Sequence, residues 1–382
     1  MKIRVPKSML QFRCNEKGCC CKGWGICFSA GDLTRLVRAY SHAEVGEMLK
    51  GARLWKTDDD HLTHFQLKQG RKEVACRFLT SANMCLLQIE KGTEFQPLLC
   101  RAFPAAGFVV GDETELHFSA VCPEVLNLIE SEDGPFEITL LEAEKGDSLA
   151  QRARYQREHP TIEMGNQKIT AEQLQVIRRV ILEALHRRTR TAVETLASIH
   201  YALARLVVDE EPVEAFHIRD DEPVESFNEY LDTCVSLHVP IVLATSFQQY
   251  RRFVFDLDLD SVDWNALTNH LIHRPDWRAH LDPTDPKLQT LLFRYLSHRY
   301  FAPFSTSPDT PEINFSYGNI THCLATAFRF AVSLGSWLEK DELRTLLKVS
   351  LGASEHFYRI IQNMPLSAMP WFLPTETGQQ RC

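Results

Sequence analysis

The pattern of apolar and polar positions changes character part-way along this 382-residue chain. Beyond about residue 145 apolar residues recur at helical spacing. Leu174, Ile177, Val180, Ile181 and Leu185 share one stripe within 170–188, and Val193, Leu196, Ile199, Leu203 and Leu206 share another within 191–208. The two segments are expected to pack as an antiparallel pair. The same period predicts helices over 224–239, 261–272, 287–300, 320–338 and 342–364, joined by proline-bearing loops such as Pro283-Thr-Asp-Pro286.

The first 130 residues are irregular. Short strand-like runs fall at 64–67, 107–110 and 116–118, the last two forming a hairpin across Gly111-Asp112. One helix starts near Ser29 to Asp32, whose side chains can cap open amides, and places Leu33, Leu36, Val37 and Tyr40 on one face. Another opens with Pro123 at its first position and runs to Ile129. No internal repeat and no low-complexity tract interrupts the chain. The expected fold class is α+β, with an irregular cysteine-rich metal-binding domain over 1–130 and a mainly α-helical domain over 131–382.

Cysteine distribution adds chemistry to this outline. Nine of twelve cysteines lie in the first 122 residues, at Cys14, Cys19, Cys20, Cys21, Cys27, Cys76, Cys85, Cys100 and Cys122. They sit beside Gly, Lys, Arg, Asn and Pro and follow no apolar period, so buried packing explains them poorly, although it suits Cys234 and Cys323. A disulfide framework suits small secreted domains. Here Met1 to Leu10 lacks the apolar stretch of about 7–15 residues that a secretory signal needs, and a chain this long can bury a core without covalent staples. A metal or iron–sulfur site is the leading reading, with redox disulfide chemistry and packing as the alternatives.

Glycine in Cys20-Cys21-Lys22-Gly23-Trp24 lets the backbone turn adjacent sulfurs toward one centre or two close centres, while Cys76, Cys85, Cys100 and Cys122 contribute single thiols from separated segments. Cysteine-only ligation suits zinc and iron–sulfur clusters alike.

Charge refines the picture slightly. The net charge of −8 conceals a basic start: residues 1–100 carry 16 Lys and Arg against 10 Asp and Glu. Lys2, Arg4, Lys7, Arg13, Lys17 and Lys22 are expected to offset thiolate charge. They form no clustered stripe with interleaved aromatics, so no nucleic-acid partner is expected. No run reaches the roughly 18 apolar residues of a membrane span, and the expected location is the cytoplasm, where thiols stay reduced.

Other chemistry is sparser. Asp58-Asp-Asp60-His61-x2-His64 reads as an exposed acidic turn before it reads as a metal site. His273, His280 and His298 have no neighbour at ligand spacing. Neither a nucleophile elbow nor the glycine-rich loop of a nucleotide-binding doubly wound fold is present. Trp24, Phe78, Phe103 and Glu124 stand near the cysteines and could line an amine pocket, although each reads first as core or turn.

Taken with their neighbours, the cysteines resemble a known family. The order Cys14, Cys19-Cys20-Cys21-Lys-Gly-Trp24, Cys76-x-Phe-Leu79, Cys85-x2-Gln88, Gly92-x-Glu94, Cys100-Arg-x-Phe-Pro104 and Cys122-Pro-Glu124 is similar to the YkgJ-type CxxCxxCC cysteine-cluster family, and within it to the flagellin lysine-N-methylase branch. The aromatic-rich segment Leu291 to Phe304 is similar to a helix of that branch. Two features depart from the pattern: the first interval is compressed, and Ala105 replaces an arginine after Pro104.

The resemblance implies a centre of zinc, iron or a 4Fe-4S iron–sulfur cluster held by Cys14, Cys19, Cys20, Cys21, Cys76, Cys85, Cys100 and Cys122. It also implies methyl transfer from S-adenosylmethionine to lysine ε-amines of a flagellin-like protein. The competing expectation is a non-catalytic zinc- or iron-binding protein whose helical half docks a partner.

Overall fold

A computed structural model describes residues 1–14, 21, 27–50, 52–56, 63–67, 76–144, 149–150, 156–158, 161–164, 167–209, 211–219, 263, 284–302, 312–314, 324, 327–328, 331–332 and 343–362. These residues divide into two compact units, one within Met1–Glu158 and one from His159 onward. Helices and strands are both present, so the class is α+β. The division expected after residue 130 falls inside the first unit, because a strand beyond it joins that unit's sheet.

That sheet has the order β7-β1-β6-β5-β8, from β1 (Lys2–Pro6), β5 (Ala105–Val110), β6 (Glu113–Phe118), β7 (Ile138–Glu142) and β8 (Gln156–Glu158). The hairpin expected across Gly111-Asp112 is present: Val110 pairs with Glu113, and Gly111 takes φ 65°, which glycine adopts without steric cost. β1 lies parallel to β6 and antiparallel to β7. Thr114, Glu115, Leu116 and His117 of the central β6 are all buried, so both of its faces are covered. Glu115 and His117 share one face, 3.5 Å apart, with the imidazole edge-on to the Phe108 ring.

A second, smaller core in this unit carries Cys21, Cys76, Cys85 and Cys100. It combines β2 (Cys27–Phe28), β3 (Ala52–Lys56) and β4 (Thr63–Leu67), in the sheet order β2-β4-β3, with α1 (Ala30–Ala39), α2 (His42–Met48), α3 (Leu86–Lys91) and α4 (Leu98–Ala102). Ser29 caps α1 through a box in which Ser29 Oγ accepts from the Asp32 amide and the Asp32 carboxylate accepts from the Ser29 amide; Ser41 and Glu44 do the same for α2. The expected apolar face of α1 needs one correction. Val37 is 39% exposed, and the buried stripe instead runs through Asp32, which is 2% exposed, Leu36 and Tyr40 at four-residue steps. Val37, five positions from Asp32, falls about 140° from it around the helix and outside that stripe.

The second unit contains α6 (Ala171–Arg187), α7 (Ala192–Val208), α8 (Pro286–Phe301), α9 (Leu343–Gln362) and a small sheet of β9 (Thr161–Met164), β10 (Gln167–Ile169) and β11 (Glu312–Asn314). Thr170 with Gln173, and Thr191 with Glu194, close capping boxes at the starts of α6 and α7. Gln173, at the start of α6, donates to Glu214 just beyond α7, so these helices form the expected antiparallel pair.

Helix α8 is buried nearly all round: Leu288, Leu291, Leu292, Tyr295, Leu296, Tyr300 and Phe301 are each no more than 2% exposed, and Ser297 and His298 are buried beside them. Its partners follow from position. Arg178 lies over Phe301 and Arg188 over Phe293, so α6 runs antiparallel to it, while the first amide of α7 donates to Gln289 at its start.

Leu324, Ala327, Phe328 and Ala331 are helical and buried within the span expected at 320–338. The helices expected at 224–239 and 261–272 lie outside the described residues, apart from Asp263. No helix among the described residues is long and apolar enough to cross a membrane.

Candidate functional site

The cysteine-bearing segments meet around one apolar nucleus. Cys76 is buried with Phe28, Leu36, Tyr40, Val45, Phe78 and Leu87, and Cys21, Cys85 and Cys100 pack against this group. Thiols separated by up to 79 positions in sequence therefore share one core. Cys14, Cys21, Cys76, Cys85, Cys100 and Cys122 are not joined in disulfides. Cys19 and Cys20 lie outside the described residues, as do Trp24 and the run 58–61.

Backbone hydrogen bonds fix how these segments approach. The Cys76 amide donates to the Cys21 carbonyl at 2.5 Å, bringing those two residues side by side. From Cys76 the chain turns tightly: the Leu79 amide donates to Cys76 O, Thr80 and Met84 close a loop through backbone and hydroxyl, and the Leu86 amide returns to Phe78 O at 2.7 Å. Asn83, at φ 61°, supplies the left-handed residue that this turn requires. Leu79 and Cys85 face each other as an isolated antiparallel bridge, and Cys85 starts α3. Phe78, read first as core and only second as a pocket residue, is core, its ring edge-on to Phe28 at 5.8 Å.

Arg77 anchors the turn from outside. Its guanidinium donates to the carbonyls of Glu47 (3.0 Å), Met48 (2.8 Å) and Lys50 (2.8 Å) at the end of α2. A helix C-terminus leaves such carbonyls open, and a cation there also meets the negative end of the helix dipole. This contact was not foreseen from sequence, because the arginine follows the cysteine it serves and lies 27 residues from the last carbonyl it caps.

The segment from Cys85 to Cys100 turns on Gly92. Its φ of 104° and ψ of 166° lie where only glycine is at ease, and a Cβ there would stand 2.5 Å from a Glu94 carboxylate oxygen. Gly92-x-Glu94 is thus a structural corner that redirects the chain from α3 toward α4. Gly92→Ala is expected to lower stability by about 1–3 kcal/mol, measured as a fall in the denaturation midpoint of the first unit. A change within about 0.5 kcal/mol, the scatter of ordinary surface substitutions, would contradict this role.

Asp32 joins this corner to α1. Its carboxylate accepts from the Ser29 amide at 2.9 Å, from Ser29 Oγ at 2.8 Å and from the Leu98 amide at 3.1 Å, and it pairs with Arg35. One buried anion therefore caps α1 and also holds the first amide of α4, the helix that carries Cys100. Sequence reading assigned it only the first role.

Cys100 and Cys122 are connected through the base of the hairpin. The Ser119 amide donates to Pro104 O at 2.9 Å, and the Cys122 amide donates to Ser119 O at 3.1 Å. Cys122 then precedes α5 (Pro123–Ser131), as expected from Pro123 at the first helical position. α5 packs against the 3-10 turn Lys7–Gln11, which leads to the exposed Cys14, and Phe12 meets Phe118 at 5.6 Å. Cys14 and Cys122 thus belong to neighbouring elements at the sheet side of the unit. Cys21, Cys76, Cys85 and Cys100 belong to the smaller core. Glu124 bonds Asn127 within α5.

Of the six basic residues expected to offset thiolate charge, Lys2, Arg4 and Lys7 pair instead with Asp112, Glu113 and Glu137 at 3.2, 2.7 and 2.6 Å, Arg13 donates to Phe12 O, and Lys17 and Lys22 lie outside the described residues. Nearer the thiols, Tyr40 donates to Glu90 at 2.9 Å with Lys91 Nζ 4.8 Å from its ring centre. Burial, then the Glu90 carboxylate, push the Tyr40 phenol up to about 12. The neutral phenol is favoured on folding, so this pair stabilises fully below pH 10 and loses its effect as pH rises from 10 to about 12.

Thiols are donors that suit a soft metal, and Cys14, Cys21, Cys76, Cys85, Cys100 and Cys122 are free of disulfides. Among the described residues, no three Cys, His, Asp or Glu side chains stand together as a metal-binding group. His298, read as unpartnered in sequence, is buried in α8. No protein-family model, curated protein or solved structure matches the chain.

Proposed function

We propose that the first unit holds a thiolate-bound inorganic centre, a 4Fe-4S cluster or zinc, and that the chain is a protein-lysine N-methyltransferase acting on flagellin-like lysines with S-adenosylmethionine as donor. The observation that carries the inorganic half is the gathering of Cys21, Cys76, Cys85 and Cys100 on one core by segments tied through backbone hydrogen bonds. The methyl-transfer half rests on the order of cysteines and neighbours from Cys14 to Cys122.

Bound at these thiols, the inorganic group supplies structural free energy and local charge. The chain's part is to hold sulfurs from distant segments and to exclude water through Phe28, Phe78 and Leu87, which cover the buried side of Cys76. Methyl transfer needs a neutral lysine amine in line with the sulfonium methyl. The amine lone pair forms the new N–C bond as the S–C bond breaks, the sulfonium becomes a neutral thioether, and the alkylated amine releases a proton to a base or to water.

The experiment is transfer of label. Anaerobically purified, metal-replete protein, incubated with methyl-labelled S-adenosylmethionine and flagellin, is expected to place label on lysine. No label on lysine from fully loaded protein overturns the methyltransferase reading and leaves a metal-binding module. An absorption spectrum of the same sample chooses the metal: a broad band near about 400 nm marks iron–sulfur, and its absence with bound zinc marks a zinc site.

A further inference from the structure

We infer that the outer edge of β7 is a self-pairing surface, on which β7 of a second copy of this chain docks antiparallel with Leu140 at the two-fold axis. β7 (Ile138–Glu142) ends the five-stranded sheet, and among the described residues no strand lies beyond it. Its inner side is fully used by β1, with Lys2 to Pro6 facing Glu142 to Ile138.

The hydrogen bonds flanking this pairing fix which backbone groups point outward. Met1 and Ala143 exchange bonds in both directions, at 3.3 and 2.9 Å, and the Lys7 amide donates to Glu137 O at 2.8 Å. In an antiparallel ladder, bonded and non-bonded pairs alternate. Residues 137, 139, 141 and 143 therefore bond inward to β1, and the amides and carbonyls of Ile138, Leu140 and Glu142 face out.

Those outward groups are complementary to themselves under a two-fold rotation. Centred on Leu140, each Leu140 exchanges both bonds with its copy, and Ile138 does so with Glu142 of the second chain. Side chains agree with this register. Leu140, 51% exposed, would meet a second leucine, and Glu142, with Lys2 as its cross-strand neighbour within the chain, would meet an isoleucine, so no like charges oppose. The strand Ile-Thr-Leu-Leu-Glu also carries no proline, lysine or glycine, the residues that commonly blunt a sheet edge. One edge pairing covers far less than the roughly 1,200 Å² of a stable standard interface, so the dimer is weak and concentration-dependent.

Sedimentation velocity of the intact chain from about 1 to about 500 μM tests this, since weak association falls in that range. Wild type is expected to shift from monomer toward dimer. Leu140→Lys, which sets two ammonium groups against each other across the axis, is expected to weaken association at least tenfold with unchanged circular dichroism and melting. An equimolar mixture of Leu140→Lys and Leu140→Glu chains is expected to associate again through opposite charges. A wild-type chain that stays monomeric throughout, a Leu140→Lys chain that dimerises like wild type through another surface, or a mixture that fails to associate each overturns the proposal.

Discussion

On the proposed thiolate centre, removing the inorganic group from anaerobically purified protein is expected to melt residues 27–50 and 76–102 and to spare the helices Ala171–Arg187, Ala192–Val208 and Pro286–Phe301. The reason lies in the size of the core that the cysteines share. Phe28, Leu36, Tyr40, Val45, Phe78 and Leu87 are its buried side chains besides Cys76, and they must order four short helices and the turns between them. A structural metal can contribute about 10 kcal/mol, as much as the whole net stability of an ordinary domain. The second unit has its own core in α8, whose leucines and tyrosines are enclosed on all sides. Hydrogen exchange read by mass spectrometry, with and without chelation, separates the two regions. Cys76→Ser and Cys100→Ser should each reproduce the loss, since each removes a sulfur from the same nucleus. Protein that purifies without metal, or whose protection in 27–50 and 76–102 is indifferent to chelation, would refute the thiolate centre.

Features set by near neighbours in sequence were legible, and those set by distant partners were not. The boxes at Ser29, Thr170 and Thr191 use residues three apart, and Pro123 and Gly111 punctuate locally, so these elements fall where the pattern put them. The helix at 287–300 was clear because nearly every apolar position in it is buried. Arg77 and Asp32 were illegible in their main roles because their partners lie 27 to 66 residues away. Val37 was misplaced because the buried stripe of that short helix runs through the Asp32 carboxylate, which an apolar pattern does not register. The basic start implies thiolate compensation, whereas Lys2, Arg4 and Lys7 match acids at 112, 113 and 137, and Lys17 and Lys22 lie outside the described residues. Composition registers a charge balance, whereas topology decides which charges meet. The thiols show both sides of this: their order suggests a shared centre, and only the backbone bonds Cys76 to Cys21 and Ser119 to Pro104 reveal how separated segments are drawn together.

Asp32→Ala is expected to be the most damaging substitution in the first unit that touches no cysteine. The carboxylate is 3% exposed and accepts from three groups besides pairing with Arg35. Truncation leaves the Leu98 amide without this acceptor and the Arg35 guanidinium without its buried counter-charge, and it dissolves the capping box of α1. Breaking a buried pair by removing one partner costs about 3–5 kcal/mol, and loss of a cap alone about 1 kcal/mol. Asp32→Asn keeps an acceptor oxygen of the same shape, so its cost should be smaller, about 1–3 kcal/mol. Because the same anion holds the start of α4, the effect should appear at Cys100 as well as in α1. Pulsed alkylation across a urea series, with modification of Cys85 and Cys100 read by mass spectrometry, reports opening of this unit directly. Labelling of Cys85 and Cys100 should move to lower urea in Asp32→Ala, and by a smaller step in Asp32→Asn, while exchange protection of Ala171–Arg187 stays fixed. If Asp32→Ala shifts the midpoint by less than about 1 kcal/mol, the carboxylate is not the tie between α1 and α4 that its four partners imply, because a buried, fully bonded anion cannot be deleted so cheaply.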